Sequence, residues 1–316
     1  MKKIFLAIAI LASTGCLTSC NKMELDLTPE DYFASSSFWK NEEQVSGAMI
    51  GLHAQMRGFQ STLWTLGELR GGTLKDGTGF TGTSSLNSAN IIIQDLRESS
   101  TGINSWGGLY AAIFQVNNFI YQVNNAGYMT DQQKAYYLGQ GHGIRAFYYF
   151  HLYRTFGRVP IVTEPMVAIN TPNSAESAYV ARTKTEQETL DFIKEEVNKS
   201  VGYFGTDYTI KDQKSQWSLP ASQMLKTEVY LWSAKVGVDG GSPKATQQDL
   251  QIAKTAVETI IPKFSLQATF SDVFTSASVA ANKGNNEIIF ALRYLTGEAA
   301  NTLFPYFIYA PADVLA

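Results

Sequence analysis

The chain has 316 residues, 45% apolar and 17% charged, with a net charge of −3. This composition belongs to a folded protein with a sizeable core, and excludes a disordered or collagenous chain. The slight acidic balance gives no general attraction to phosphate backbones, so no nucleic-acid partner is expected. No run approaches the ~20 apolar residues that a polytopic membrane protein would need.

Lys2 and Lys3 precede the apolar run Ile4 to Ala12, the order of a secretory signal peptide too short to span a bilayer. Leu17-Thr18-Ser19-Cys20 resembles the lipobox of bacterial lipoproteins, which implies cleavage after residue 19 and a lipid on Cys20. The chain has two cysteines, Cys16 and Cys20, so loss of residues 1–19 leaves the body without a disulfide or a cysteine metal site. Residues 20–34 then form the lipidated Cys and a short polar tether, and residues 35–316 the folded domain. Lys22 and the acids after it resemble the surface-export signal of Bacteroidetes lipoproteins.

The domain reads as amphipathic helices in succession. Asn41 and Gln44 are close to a capping box, followed by Val45, Met49, Leu52 and Met56 on one face. Between Gly58 and Gly107 the pattern breaks into a polar, Gly-rich stretch that carries Trp64, Phe80 and Trp106. Ile91-Ile92-Ile93 within it suggests a strand. A helix over about Gly108–Asn125 aligns Leu109, Ile113, Val116, Ile120 and Val123. Thr130 and Gln133 form a capping box for the next helix, with Gly157 and Pro160 as its stop. Thr185 and Glu188 open a fourth, burying Leu190, Ile193 and Val197. Two more follow, near Leu219–Val236 and Gln247–Ile261. Glu287 to Leu292 suggests a second strand. The expected fold class is mainly α: tetratricopeptide-like helical pairs with long irregular loops and little β structure.

Chemistry-bearing motifs are few. Gly77 to Gly82 fits G-x-G-x-x-G, but no strand precedes it and no helix opens inside it, so it reads as a turn-rich loop. His53, His142 and His151 lack metal-site or hydrolase spacing and read as packed or surface residues. No cofactor and no metal are expected. Glu42-Glu43 and Glu195-Glu196 point about 100° apart on their helices and read as solvated faces rather than glycosidase pairs.

Arg145-Ala146-Phe147-Tyr148-Tyr149-Phe150, Leu152 and Phe156-Gly157-Arg158-Val159-Pro160-Ile161-Val162-Thr163 together resemble the SusD/RagB family of Bacteroidetes nutrient-binding lipoproteins. Other segments agree in order: Asp31-Tyr32-Phe33 through Phe38-Trp39, Trp106 to Tyr110 with Asn117-Asn118, and Asn286 to Phe290. The resemblance implies an outer-membrane, lipid-anchored, surface-facing binding protein and not an enzyme. Its partners would be an oligosaccharide or other nutrient and a TonB-dependent, SusC-like transporter. Family members run longer, so residues 35–316 are expected to lack the family's C-terminal part and to expose the apolar run Leu303 to Tyr309. Two other readings compete: a helical-repeat scaffold that binds only protein, and a surface glycoside hydrolase. Irregular loops on a rigid scaffold commonly carry binding residues. On that ground the ligand surface is expected on Gly58–Gly107, through Trp64, Arg70, Asp76, Phe80, Asn87 and Asn90.

Overall fold

The computed structural model describes residues 38–71, 89–165, 180–242, 247–274, 285–294 and 297–301. Two units divide at residue 40, Met1–Lys40 and Asn41–Ala316, and every element below belongs to the second.

The first three helices are α1 (Glu42–Arg57), α2 (Gln60–Leu66) and the short α3 (Ala89–Ile92). Four long helices follow: α4 (Gly107–Asn124), α5 (Asp131–Phe156), α6 (Glu186–Phe204) and α7 (Leu219–Lys235). Then come α8 (Gln247–Ile260) and the short α9 (Phe270–Phe274). Consecutive long helices pack on one another, α4 on α5, α5 on α6, α6 on α7 and α7 on α8, while α1 lies against α4. This is the tetratricopeptide-like pairing that the sequence suggests.

Local chemistry sets the helix starts. The Asn41 side chain accepts from the Gln44 amide at 3.0 Å. Thr130 and Gln133 form the full reciprocal box at 3.2 and 2.9 Å. The Thr185 hydroxyl accepts from the Glu188 amide at 3.1 Å. Each cap satisfies an amide that the helix itself cannot, worth about 1 kcal/mol. At the other end of α5, Gly157 takes φ +66°, where a side chain would be strained and would also meet Glu186.

Helix α5 is the centre of the core, buried on nearly every side from Tyr137 to Tyr153. Tyr148, Tyr149 and Phe150 are among the largest fully buried side chains. Neighbours approach this helix so closely that glycine is required within it. A Cβ on Gly143 would lie 2.1 Å from Trp217 Nε1 and 2.8 Å from Ser200 Oγ.

Two expectations are corrected. Ile91-Ile92-Ile93 is not a strand: Ile91 and Ile92 end α3 and are buried beside Trp64 and Leu69, while Ile93 is exposed. Glu287–Leu292 is irregular chain, held by contacts such as the Ala291 amide on the Lys214 carbonyl at 3.0 Å. Among the described residues the β pairing is confined to the isolated bridges Arg97–Ser100 and Pro160–Arg182. A further difference is that the stretch expected to be loop, Gly58–Gly107, contains α2 and α3. The apolar run Leu303 to Tyr309 lies outside the described residues.

Overpacking where Trp217 meets α5 gives a paired test. Gly143→Ala should cost about 1–3 kcal/mol, because backbone and Trp217 must move apart. Gly47→Ala on α1, with nothing within 4 Å of the new Cβ, should instead gain up to about 1 kcal/mol from helix propensity. Urea denaturation of both variants checks the opposite signs.

Candidate functional site

A buried polar hub fixes the middle of the scaffold. Glu196 on α6 has 0% exposure. Its Oε2 accepts from Arg145 Nε at 2.7 Å and pairs with His142 Nδ1 at 2.8 Å, both from α5. Its Oε1 faces Lys199 Nζ at 3.4 Å. Arg145 Nη1 also donates to Asn117 Oδ1 on α4 at 2.9 Å, and Asn117 Nδ2 donates to the Val162 carbonyl at 2.9 Å. Thus one carboxylate ties α6 to α5, and through Arg145 and Asn117 to α4 and the segment after Gly157.

The same segment is held from other sides. The Tyr149 hydroxyl donates to the Val162 carbonyl at 3.1 Å and accepts from the Val162 amide at 2.7 Å. The Tyr110 hydroxyl donates to the Pro160 carbonyl at 2.5 Å. Val159 is fully buried and its carbonyl accepts from the Thr183 amide. The run from Arg145 to Thr163 is therefore one construction, a helix, its glycine stop and a return strap bonded to the helix.

Burial alone would raise the Glu196 carboxyl. The His142 hydrogen bond and the Arg145 charge more than reverse this and hold it at about 2. This corrects the reading of Glu195-Glu196 as a solvated pair. Glu195 is 60% exposed, but the next residue points into the core. His53 and His142 are also packed. The His53 ring bridges the Met49 carbonyl at 2.9 Å and the Trp217 amide at 2.8 Å, and burial pulls its pKa down to about 4.

Two larger hollows lie on this scaffold. One, of about 620 Å³, adjoins the hub and is lined by Asn117, His142, Arg145, Lys199, Tyr121 and Tyr203. Its two cations already have carboxylate partners, since Arg145 and Lys199 both face Glu196, and Glu164 adds a second acid to the lining. The Tyr203 ring stacks on His142 at 5.3 Å.

The other is a groove of about 530 Å³ between α2, the chain after α3 and the C-terminal end of α5. Leu66, Ile91, Leu96, Ile103 and Phe156 supply its apolar lining, and Thr65, Thr101 and Asn104 its neutral polar lining. Arg70, Arg97 and Arg154 also line it, with Glu98 as the acid. Gln94 Nε2 donates to the Arg70 carbonyl at 3.2 Å, tying the chain after α3 to the end of α2's following turn. Trp106 braces this end of α5. Its ring meets Phe156 edge-on at 5.4 Å, and the Arg182 guanidinium lies 4.5 Å over it.

Of the residues expected to bind ligand, Arg70 reaches the groove. Trp64 is 8% exposed, so its ring packs against Leu69, Ile91 and Ile92 beneath the groove. Asn90 falls within α3, and its side chain is not among those described. Asp76, Phe80, Asn87 and Cys20 lie outside the described residues, as does the Gly77–Gly82 loop. Sequence reasoning missed Arg154 and Phe156, which sit about two and a half to three turns past Arg145 on the same helix. The available signal was a basic and an aromatic residue in the last turn before Gly157.

The fold and hollows define a class: an all-helical scaffold of paired helices, among the described residues, with a mixed apolar and cationic groove at one helix end. The chain belongs to the SusD/RagB-type family. Residues 25–225 match the SusD-like family described as starch-binding and associating with the outer membrane. A SusD superfamily protein of Bacteroides fragilis is 37% identical, with a TM-score of 0.71, over 84% of this chain and 52% of its own. NanU of B. fragilis is 33% identical, with a TM-score of 0.72, over 85% and 51%. A SusD-like protein of Formosa agariphila is 27% identical over 95% of this chain and 55% of its own length. A laminarin-binding SusD-like protein, 20% identical with a TM-score of 0.60 over 79% and 51%, shares the fold. The chain spans about half the length of the relatives it matches.

Removing Arg145 would leave the Glu196 carboxylate buried beside a weaker set of partners. Arg145→Leu should lose about 3–5 kcal/mol of stability, against under about 1 kcal/mol for Lys199→Ala, whose side chain is 42% exposed. The pH sign follows from the depressed carboxyl. The contribution is complete above the ordinary value of 4.5 and is lost as pH falls through about 2. Denaturant melts at neutral and acid pH measure both.

Proposed function

We propose that this chain belongs to a surface lipoprotein that binds oligosaccharides and hands them to a TonB-dependent outer-membrane transporter, and that the groove at the end of α5 is where the glycan lies. The observation that carries this reading is the groove itself. It combines an aromatic and apolar lining with separate hydrogen-bonding groups, and its size of about 530 Å³ suits a short saccharide. Apolar and aromatic side chains match the C–H face of a sugar ring, and Thr65, Thr101, Asn104 and arginine side chains match its hydroxyls. The family description and the laminarin-binding relative support a carbohydrate as the ligand class. The role is binding rather than catalysis.

One supporting proposal completes the picture. Cys20 carries the lipid that anchors the protein, with residues 1–19 removed. Several acyl chains on Cys20, at about 0.8 kcal/mol per buried methylene, would give a stable anchor. Cys20→Ala should not incorporate labelled palmitate in a bacterial host that lipidates such proteins. Incorporation in that variant would place the anchor elsewhere.

The groove is tested by filling it. Thr101 is exposed and lines the groove, so Thr101→Trp should obstruct a ligand without removing a buried contact. A glycan array followed by calorimetric titration should show binding that weakens at least about tenfold in this variant, at unchanged melting temperature. Undiminished binding would move the site away from the groove. A full absence of glycan binding by the parent chain would favour a protein-binding scaffold.

A further inference from the structure

Resting on the reading of the groove as a glycan site, we infer that its ligand is an acidic saccharide, one bearing a carboxylate or a sulfate. Arg70, Arg97 and Arg154 line the groove against one acid, Glu98, in a chain whose overall charge is −3. The excess is therefore local and opposite in sign to the rest of the molecule.

The three arginines are not equivalent. Arg97 Nε already holds Asp95 at 2.7 Å and its side chain is 69% exposed. Arg70 and Arg154 have no carboxylate ion-pair partner among the described residues. Arg154 is held in place by neutral groups instead. Its guanidinium lies 4.2 Å over the Phe150 ring and 5.8 Å from that of Trp232, and its Nη2 is 3.3 Å from His151 Nδ1. Burial pulls the Arg154 pKa below its ordinary value; Glu228 opposes this, while the charge of Arg70 adds to it. Burial, then the Arg154 charge, hold His151 far down, at about 3, so the ring beside the guanidinium is neutral.

Arg154 is thus a fixed, partly desolvated guanidinium that shares the lining of one groove with a second, exposed one, Arg70. A carboxylate or sulfate in that groove can fill a guanidinium fork with paired, charge-assisted hydrogen bonds. The hub supplies the contrast within the same chain. There, Arg145 and Lys199 face a buried carboxylate, so the adjacent 620 Å³ hollow offers an anion no uncompensated pair of cations.

Calorimetric titration of the full chain tests this with three probes: digalacturonic acid, a galactose disaccharide of the same size, and its sulfated form. The acidic probes should bind at least about tenfold more tightly than the neutral one, and the difference should shrink as salt is raised. Arg154→Gln and Arg70→Gln should each remove about tenfold of the acidic binding and leave the neutral probe within about threefold. Arg97→Gln should change either by less than about threefold. Arg70 is exposed, so Arg70→Gln remains informative if Arg154→Gln unfolds. Equal binding of neutral and acidic probes, or acidic binding unchanged in Arg70→Gln, overturns the charge inference and leaves the glycan groove standing. Failure of all three probes and of every glycan on the array overturns both.

Discussion

Glu196 is a carboxylate taken wholly out of water, and its ionised form survives there because Arg145 and His142 both meet it. Such a charge is costly to bury and costly to leave unpaired. The arrangement of α4, α5 and α6 is therefore constrained more narrowly than apolar packing alone would require. Arg145 passes the constraint on to Asn117, and Asn117 passes it to the carbonyl of Val162. Tyr149 then fixes both backbone groups of Val162. The strap from Gly157 to Thr163 is positioned by this chain of bonds, and so is the exit of α5. The proposed glycan groove is built around that exit, through Arg154 and Phe156.

The two hollows differ in what their charges are already doing. Beside the hub, cations and carboxylate satisfy one another, so the pocket is part of the way the fold holds together. At the end of α5, Arg154 stacks on rings and Arg70 reaches solvent, neither with a carboxylate ion pair among the described residues, while Arg97 holds Asp95. That distinction, rather than volume, is why the smaller hollow is the better candidate. It also agrees with where rigid helices give way to irregular chain, a common setting for recognition.

Much of the scaffold was legible from local rules. Asn41, Thr130 and Thr185 mark helix starts because a side-chain oxygen must meet an amide there, and Gly157 marks a stop through its positive φ. What misled was ambiguity that only tertiary contacts resolve. A triplet such as Ile91 to Ile93 is apolar enough for a strand or one helical turn, and burial beside Trp64 decides for the turn. Glu195 and Glu196 look alike in sequence, yet the partners of Glu196 lie 51 and 54 residues away. The site was half legible. Arg70 could be picked out as a polar residue in the early loops, whereas Arg154 and Phe156 belong to a distant helix and reach the groove only through the fold.

The central claim is that ligand goes to Arg70 and Arg154, which have no carboxylate ion pair among the described residues, and not to the cations gathered on Glu196. A crystal structure of the protein grown with an acidic disaccharide addresses it directly. The account predicts density in the groove, with the anionic group against Arg154 and Arg70. Density beside Arg145, Lys199 and Tyr203, with the groove empty, would contradict it.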